Sequence, residues 1–305
     1  MADLPAARVN PADPFSKTGV DYDGPFEVLQ TKGRGASSTK GYVAVFVCLI
    51  TKAIDLELVG DLTTESFLAA LTRFTGRRGR PLELWSDNAT NFRGADLELR
   101  RLFQDAKLDW HKVEDSLAQE SIRWQFIPPS APHFGGLWEA GVKSMNLRRV
   151  AGLRNLVYEE FATLLVEIEM VLNSRPLVPL TGDLEDLNTL TPGHFLIGRA
   201  LNSLPQPPSS DRNLDRLSHW WSRDYLNTLQ KRSKWTRSRP NLKVGEMVVV
   251  IDPSLLGPSG GWPIGRIMKT HGGPDQLILV ATVKTQRGTY TRPVTKLVQL
   301  PVTTT

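Results

Sequence analysis

Three acidic residues, each within its own distinctive local sequence, are candidates for a shared metal site: Asp21 in GVDYDGPF, Asp87 in LWSDNATNF and Glu139 in APHFGGLWEAGVKSM. Carboxylates that converge in a fold repel one another, and bound cations remove that repulsion. Hard ions such as Mg²⁺ or Mn²⁺ choose oxygen ligands. Two such ions about 4 Å apart can activate an attacking oxygen and stabilise the leaving oxygen of a phosphodiester. The triad therefore predicts metal-dependent phosphodiester chemistry.

Each of these residues also has an ordinary structural interpretation. Asp is common in turns, and Asp23 lies two residues beyond Asp21, where it could face the same side of a strand. The Asx-rich stretch SDNATNF is also a normal capping sequence before a helix. The metal interpretation depends on the three motifs occurring together, in this order, on elements that can bring them together.

Hydrophobic periodicity predicts those elements. Residues 20–60 predict a three-stranded antiparallel meander. A helix is predicted over 63–79, with Thr63 or Thr64 as its N-cap, followed by a strand in PLELWSD and a helix over 94–107. An insertion over 108–121 separates this helix from a strand in SIRWQFIPP. A loop, a helix that carries Glu139 and a longer helix in VYEEFATLLVEIEMVLNSR complete the order.

This element order predicts an RNase H-like α/β fold, with a mixed five-stranded sheet and flanking helices. In such a sheet the first strand is central and the fourth lies beside it. Asp21 and the strand-ending Asp87 can then approach each other, while the later helix brings Glu139.

The chain is long enough for two domains. We expect an N-terminal extension over 1–19, a catalytic core over 20–203, a linker with a basic amphipathic helix over 204–239, and a β domain over 240–301. The last segment has four or five short strands separated by Gly and Pro turns, which predicts a small SH3-like barrel.

The positive charge is concentrated at the C-terminal end. The formal net charge is +5; residues 231–305 hold 12 Lys and Arg against 3 Asp and Glu, whereas the preceding residues hold 25 against 29. This asymmetry predicts an acidic catalytic body joined to a module that binds a polyanion.

The composition excludes several other classes. Cys48 is the only cysteine, so an internal disulfide and a zinc site of paired cysteines are both excluded. The longest apolar run, residues 42–50, is too short to span a bilayer, and the first residues have no signal-peptide pattern. We expect a soluble intracellular protein without a membrane partner. Cys48 itself is expected to be buried and inert.

Several segments carry a family resemblance. GVDYDGPF, WSDNATNFRGA, PPSAPHFGGLWEAGVKSM, LNSRPLVPL, LTPGHFLIG, and WPIGRI followed by RPVTKLVQLP together resemble the integrase of Bel/Pao-type LTR retrotransposons, within the retroviral integrase superfamily. The resemblance covers nearly the whole chain. It implies a DDE catalytic core with Asp21, Asp87 and Glu139 as its acidic triad, followed by a small C-terminal β domain.

The same resemblance implies function, cofactor and partners. The implied reactions are trimming of the element's DNA 3′ ends by water and transfer of the resulting hydroxyls into target DNA, with Mg²⁺ or Mn²⁺. The implied partners are the element ends, target DNA and further copies of the chain, with no small-molecule substrate. A transposable-element integrase of this kind is expected in the nucleus.

Basic residues supply the predicted DNA contacts. Lys143, Arg148 and Arg149 follow Glu139 on the helix that, in the superfamily, lies against the bound DNA end, although Lys143 could equally pair with Glu139 at i, i+4. In the C-terminal module we expect nonspecific backbone contacts with a steep salt dependence. The predicted DNA-binding residues there are Lys231, Arg232, Lys234, Arg266, Lys269 and Arg292.

Two other functions stay open. The zinc-binding HHCC segment that normally precedes such cores is not in this sequence, and the helix after Glu139 is shorter than the family pattern. Both departures suit a fragment or truncated copy that binds DNA without catalysis. An RNase H-like nuclease that cuts RNA in RNA/DNA hybrids would have the same fold and the same kind of metal site. The basic C-terminal module and the GGLWE loop argue against this function.

Overall fold

The computed structural model describes residues 10–33, 35–87, 89–109, 122–126, 156–181, 183, 186–201, 241–252, 262–272 and 277–300, without the side chains of 102–109. The chain divides into two compact units, Met1–Glu169 and Met170–Thr305. The predicted domain limits at residues 203 and 240 both fall in the range 202–240, which lies outside the described residues. They therefore stay predictions.

The first unit is built around a mixed sheet. Its strands are β1 (Lys17–Leu29), β2 (Ser38–Cys48), β3 (Ile54–Val59), β4 (Glu83–Ser86), β5 (Arg123–Phe126) and the short β6 (Leu156–Val157). The order is β3-β2-β1-β4-β5, with β6 paired to the far end of β1. The first three strands are antiparallel, whereas β4 and β5 run parallel to β1. This confirms the predicted mixed sheet with a central first strand.

Helices flank this sheet. They are α1 (Thr64–Arg78), α2 (Thr90–Asp109) and α3 (Tyr158–Asn173). The N-cap of α1 is Thr63, whose hydroxyl accepts the Ser66 N–H at 3.2 Å, and the helix ends at Gly79 with φ +85°. Its buried face includes Phe67 and Phe74, as the periodicity predicts. Phe74 stacks on Phe46 of β2, with ring centroids 4.3 Å apart.

The second unit contains a five-stranded antiparallel sheet. Its strands are β9 (Met247–Val250), β10 (Ile264–Gly272), β11 (Ile278–Thr285), β12 (Gly288–Pro293) and β13 (Leu297–Gln299), in the order β12-β11-β10-β9-β13. A 3₁₀ turn over Val294–Lys296 precedes β13, which returns to pair with β9. This strand order suits the predicted SH3-like architecture. Within the described residues β12 and β13 do not pair, so the sheet does not close into a barrel.

A small hairpin and a short helix precede this sheet in the chain. They are β7 (Val178–Pro179), β8 (Thr189–Leu190) and α4 (Pro192–Ile197). Thr191 caps α4 together with His194, and Pro192 occupies the first turn, where its missing N–H costs nothing. Among the described residues, no helix combines the length and the hydropathy that crossing a bilayer requires.

Candidate functional site

Asp21 lies in the middle of the central strand. It pairs with Val45 across the β1–β2 ladder, and its side chain is half-buried. The backbone N–H of Tyr22 donates to its Oδ1 at 2.8 Å. The pairing of β1 with β2 therefore fixes the position of Asp21 along the strand. The Tyr22 N–H restrains one oxygen of its carboxylate.

Asp87 lies at the junction between β4 and α2. Its side chain is exposed, and its Oδ1 accepts the N–H of Ala89 at 3.0 Å, one residue before α2 begins. Its carbonyl oxygen accepts the hydroxyl of buried Ser86 at 2.8 Å. The Asx turn explains why α2 begins at Thr90, four residues before the predicted start at Gly94.

The register of the sheet indicates how close these two positions can lie. In the parallel ladder, Thr18 pairs with Leu84 and Gly19 with Trp85. Continuing this register by two residues places Asp87 opposite Asp21. Neighbouring strands are about 4.8 Å apart and residues in register face the same side. The ladder itself ends at Gly19–Trp85 and β4 at Ser86, so the proximity of these first two members of the predicted triad stays a prediction that the register supports.

Asp23 is the competing carboxylate on the same strand. It is only 8 % exposed, it pairs with Val43, and its Oδ1 accepts the N–H of Gly24 at 2.9 Å. A bulge follows between Asp23 and Phe26. The greater exposure of Asp21, together with the register, favours Asp21 over Asp23 as the partner of Asp87.

The third predicted ligand, Glu139, lies outside the described residues. In the described part of the chain, no three His, Cys, Asp or Glu side chains come close enough to hold a metal ion. The metal role of Asp21, Asp87 and Glu139 thus stays a prediction. Asp21 and Asp87 supply oxygen ligands only, which is the donor chemistry of Mg²⁺ and Mn²⁺.

An aromatic layer supports the two positions from the other face of β1. Tyr22 stacks on Phe92, in the first turn of α2, with ring centroids 5.3 Å apart and planes inclined by 14°. Phe67 of α1 meets Phe92 edge-on at 5.0 Å and lies 5.6 Å from Trp124 of β5. The residue that follows Asp21 is thereby held against the helix that follows Asp87.

Burial raises the pKa of the Tyr22 hydroxyl well above its ordinary value, and the Asn91 side chain opposes this rise only in part. The oxygen is buried without a hydrogen bond of normal geometry among the described residues. Tyr22 thus acts as a neutral packing group beneath the site. The sequence signal for it was the aromatic residue between Asp21 and Asp23, which periodicity alone does not connect to Phe92.

An ionic cluster of largely buried carboxylates and partly exposed arginines at the edge strand β3 was not predicted from the sequence. It consists of three carboxylates and three guanidinium groups, those of Asp55, Glu57, Glu169, Arg73, Arg77 and Arg78. Asp55 is fully buried and accepts from Arg77 at 3.0 Å and from Arg78 at 2.7 Å. Arg78 also contacts Glu169 of α3. These pairs connect β3, α1 and α3.

Glu169 in this cluster has a raised pKa. Burial, and then the nearby Asp55 charge, raise its pKa from 4.5 to about 7, against the opposing effects of Arg78, the Leu56 N–H and Arg77. The Leu56 N–H donates to its Oε2 at 3.3 Å. The cluster is an internal connection of the first unit, away from the ladder that carries Asp21.

The predicted DNA-binding residues divide into three groups. Lys143, Arg148, Arg149, Lys231, Arg232 and Lys234 lie outside the described residues, and their roles stay predictions. Lys269 is exposed on β10, as a phosphate contact requires. Arg292 is partly exposed and donates to Asp252 Oδ2 at 2.7 Å, with its guanidinium over the Tyr290 ring.

Arg266 differs from the other two. It is only 4 % exposed, and its guanidinium donates to the carbonyls of Gly245 and Asp186, each at 2.9 Å. A buried side chain that donates to two backbone carbonyls has a structural role within the second unit. This placement does not favour the phosphate contact predicted for Arg266.

Comparisons with known proteins give limited matches. The model of one family, described as a family of unknown function (DUF5641), matches residues 210–300, less than a third of the chain. No curated protein matches the sequence. One solved structure similar to the chain is the cryo-EM structure of a simian T-cell lymphotropic virus intasome in complex with the PP2A regulatory subunit B56 gamma. It is 13 % identical, covers 99 % of this chain and 84 % of that chain, and has a TM-score of 0.41. Similarity at this level supports no conclusion about function.

Proposed function

We propose that the chain is a divalent-metal-dependent polynucleotidyl transferase of the integrase type, which processes DNA 3′ ends and joins them to target DNA. The observation that carries the proposal is the parallel β1–β4 ladder, since its register, if continued by two residues beyond Gly19–Trp85, pairs Asp21 with Asp87. The motif resemblance adds Glu139 as the third ligand and identifies DNA as the substrate.

The donor set fits the implied cofactor. Asp21 and Asp87 would hold Mg²⁺ or Mn²⁺ together with Glu139. When bound, the cation would lower the pKa of an attacking water or 3′-hydroxyl and neutralise charge on the phosphoryl oxygens. The chain's own contribution is positional: the Tyr22 and Ala89 backbone N–H groups each occupy one carboxylate oxygen, which limits rotation of the two side chains.

Binding of the DNA backbone would come from the basic C-terminal module. Lys269 and Arg292 are its described members, and Lys231, Arg232 and Lys234 are proposed with them. Lys143, Arg148 and Arg149 are proposed at the DNA end. Assembly of several copies and a nuclear location belong to the same proposal, since integration requires two DNA ends and chromosomal target DNA.

The test is an assay of end trimming and strand transfer on oligonucleotides with Mn²⁺. We expect Asp21→Asn and Asp87→Asn each to lower the rate by about a hundredfold or more, because each removes a charged metal ligand. Asp13→Asn is the matched control, since Asp13 is an exposed aspartate outside the β1–β4 pair. Activity that survives Asp87→Asn would overturn the proposal.

The same preparation separates the two other hypotheses. A catalytically inactive remnant would bind DNA and show no metal-dependent product with any variant. A nuclease specific for hybrids would cut an RNA strand and would be inhibited by a competing hybrid more strongly than by duplex DNA.

A further inference from the structure

The outer edge of the first unit's sheet is covered by charged side chains. Among the described residues β3 is the last strand in the sheet order, with β2 as its partner. An edge strand presents backbone N–H and C=O groups to any further strand, and charged side chains commonly block such edges. At β3 the Leu56 N–H donates to Glu169 Oε2 at 3.3 Å, and Arg73 Nη2 donates to the Leu58 carbonyl at 3.0 Å. Two side chains therefore occupy backbone groups that a further strand would need.

The alternation of β3 explains why these two backbone groups point outward. In an antiparallel pair, successive residues of a strand direct their N–H and C=O groups alternately toward the partner and away from it. Ala53 faces β2, because its carbonyl accepts a backbone N–H of that strand at 2.8 Å. Asp55 and Glu57 lie two and four residues further on and share this phase. Leu56 and Leu58 therefore face away from β2.

The helices that supply these side chains lie on opposite faces of the sheet. Asp55 pairs with Phe46, whose ring stacks on α1, so Asp55 lies on the α1 face. Phe161 of α3 meets Phe26 edge-on with centroids 5.5 Å apart, and Phe26 pairs with Gly41. Gly41 lies five residues before Phe46 on β2, and an odd separation puts two residues of a strand on opposite faces. The edge of β3 thus lies between α1 and α3.

Arg78 spans this edge. Its Nε donates to Asp55 Oδ2 at 2.7 Å, and its Nη2 contacts Glu169 Oε1. One guanidinium thereby connects a fully buried carboxylate on the α1 face with a carboxylate of α3, because its fork of donors serves two acceptors at once. We define the edge strap as Asp55, Arg73, Arg78 and Glu169.

We propose that the edge strap prevents a further β-strand from pairing with β3, and that opening the strap turns β3 into a pairing edge. A strand added here would have to displace Arg73 and Glu169, whose charge-assisted hydrogen bonds are stronger than the neutral ones that replace them. The opened edge is expected to pair with β3 of a second copy, since two identical edges meet antiparallel about a twofold axis. Copies of the intact chain would then assemble through other surfaces.

The test compares variants of the full chain that keep or remove the acceptor at position 169. Glu169→Met removes the acceptor at similar side-chain length, whereas Glu169→Gln is the matched control, because its carboxamide oxygen still accepts from the Leu56 N–H. Arg78→Lys is a milder variant, since an ammonium keeps the charge but lacks the fork that reaches both carboxylates. Self-association is measured by sedimentation velocity over a series of protein concentrations, without metal or DNA. Hydrogen exchange of the Leu56 amide is followed by NMR.

We expect Glu169→Met to associate about tenfold more tightly than Glu169→Gln. At low protein concentration its Leu56 amide should exchange about tenfold faster, because the amide has lost its acceptor. At high concentration the exchange should become slow again, since a second β3 supplies a new acceptor. Arg78→Lys should show the same changes with smaller amplitude.

Circular dichroism checks that each variant is folded, and Arg78→Lys decides the test if Glu169→Met is unfolded. The proposal is overturned if the folded strap variants associate no more tightly than Glu169→Gln. It is also overturned if their Leu56 amide exchanges at the rate found in Glu169→Gln at every concentration.

Discussion

The Tyr22 ring lies parallel to the Phe92 ring, with centroids 5.3 Å apart, and so joins the strand that carries Asp21 to the helix that follows Asp87. Stacked aromatic pairs stabilise by about 1 kcal/mol beyond the area they bury. The contact thus connects the elements that carry the two carboxylates without touching either one.

Tyr22→Phe and Tyr22→Ala should separate the ring from its hydroxyl. Tyr22→Phe keeps the stack and removes an oxygen that lacks a normal hydrogen bond, so the free energy of unfolding should change by less than about 1 kcal/mol. Tyr22→Ala should cost about 3 kcal/mol and weaken Mn²⁺ binding, measured by urea denaturation and by calorimetry. Equal Mn²⁺ affinity in both folded variants would remove the positioning role.

Stability should fall as the pH rises through neutrality because of Glu169. Its pKa is raised from 4.5 to about 7, so the folded state holds the proton more tightly than the unfolded state. This contribution is fully present below pH about 4.5 and is lost as the pH rises through about 7, with a total of roughly 3 kcal/mol. The measurement is urea denaturation at a series of pH values.

Glu169→Gln is the control for this profile. Its carboxamide resembles the protonated acid, so the variant should match the wild type at pH 5 and exceed its stability at pH 8. Asp55, Arg77 and Arg78 remain in both proteins, so the difference between the two curves isolates one carboxyl group. Parallel curves would contradict the prediction.

Arg266 should matter for stability more than for DNA binding. Arg266→Ala leaves the carbonyls of Gly245 and Asp186 without their donors, and we expect a loss of about 3 kcal/mol in the free energy of unfolding. Lys296→Ala removes an exposed cation from the same unit and should change it by less than about 0.5 kcal/mol. Equal effects of the two substitutions would contradict the structural role.

Two glycines of β10 offer a matched pair. A Cβ on Gly265 would overlap Val283 Cγ1 and lie 2.9 Å from the Lys284 carbonyl oxygen, whereas a Cβ on Gly272 would meet nothing within 4 Å. Gly265→Ala should therefore cost about 2 kcal/mol through displacement of β11. Gly272→Ala should be near neutral in thermal unfolding, and a comparable loss there would contradict the packing explanation.

The strands of the first unit could be predicted from the sequence because their signals are local. Alternating apolar residues specified the meander, and Thr63 and Gly79 marked the limits of α1. That order is also the basis of the prediction that Asp21 and Asp87 lie close together.

The ionic cluster could not be predicted, because its partners are distant in sequence. In the stretch IDLELV, alternation suggests that Asp55 and Glu57 face solvent, yet every residue of β3 is buried. Arg77, Arg78 and Glu169 cover that side, and Glu169 lies 113 residues beyond Leu56, whose N–H it accepts. Arg266 shows the same limitation, because the sequence identifies an arginine but does not show whether its side chain is buried or exposed.

Because β1 and β4 pair in a parallel ladder, the candidate metal site depends on the register of β1. A single residue inserted between Gly19 and Asp21 would turn the Asp21 carboxylate toward the rings of Phe67 and Phe92. The Tyr22 side chain would then lie on the face where the metal ions are proposed to bind. The composition of the chain would be almost unchanged, yet the polar and apolar faces of β1 beyond the insertion would be exchanged.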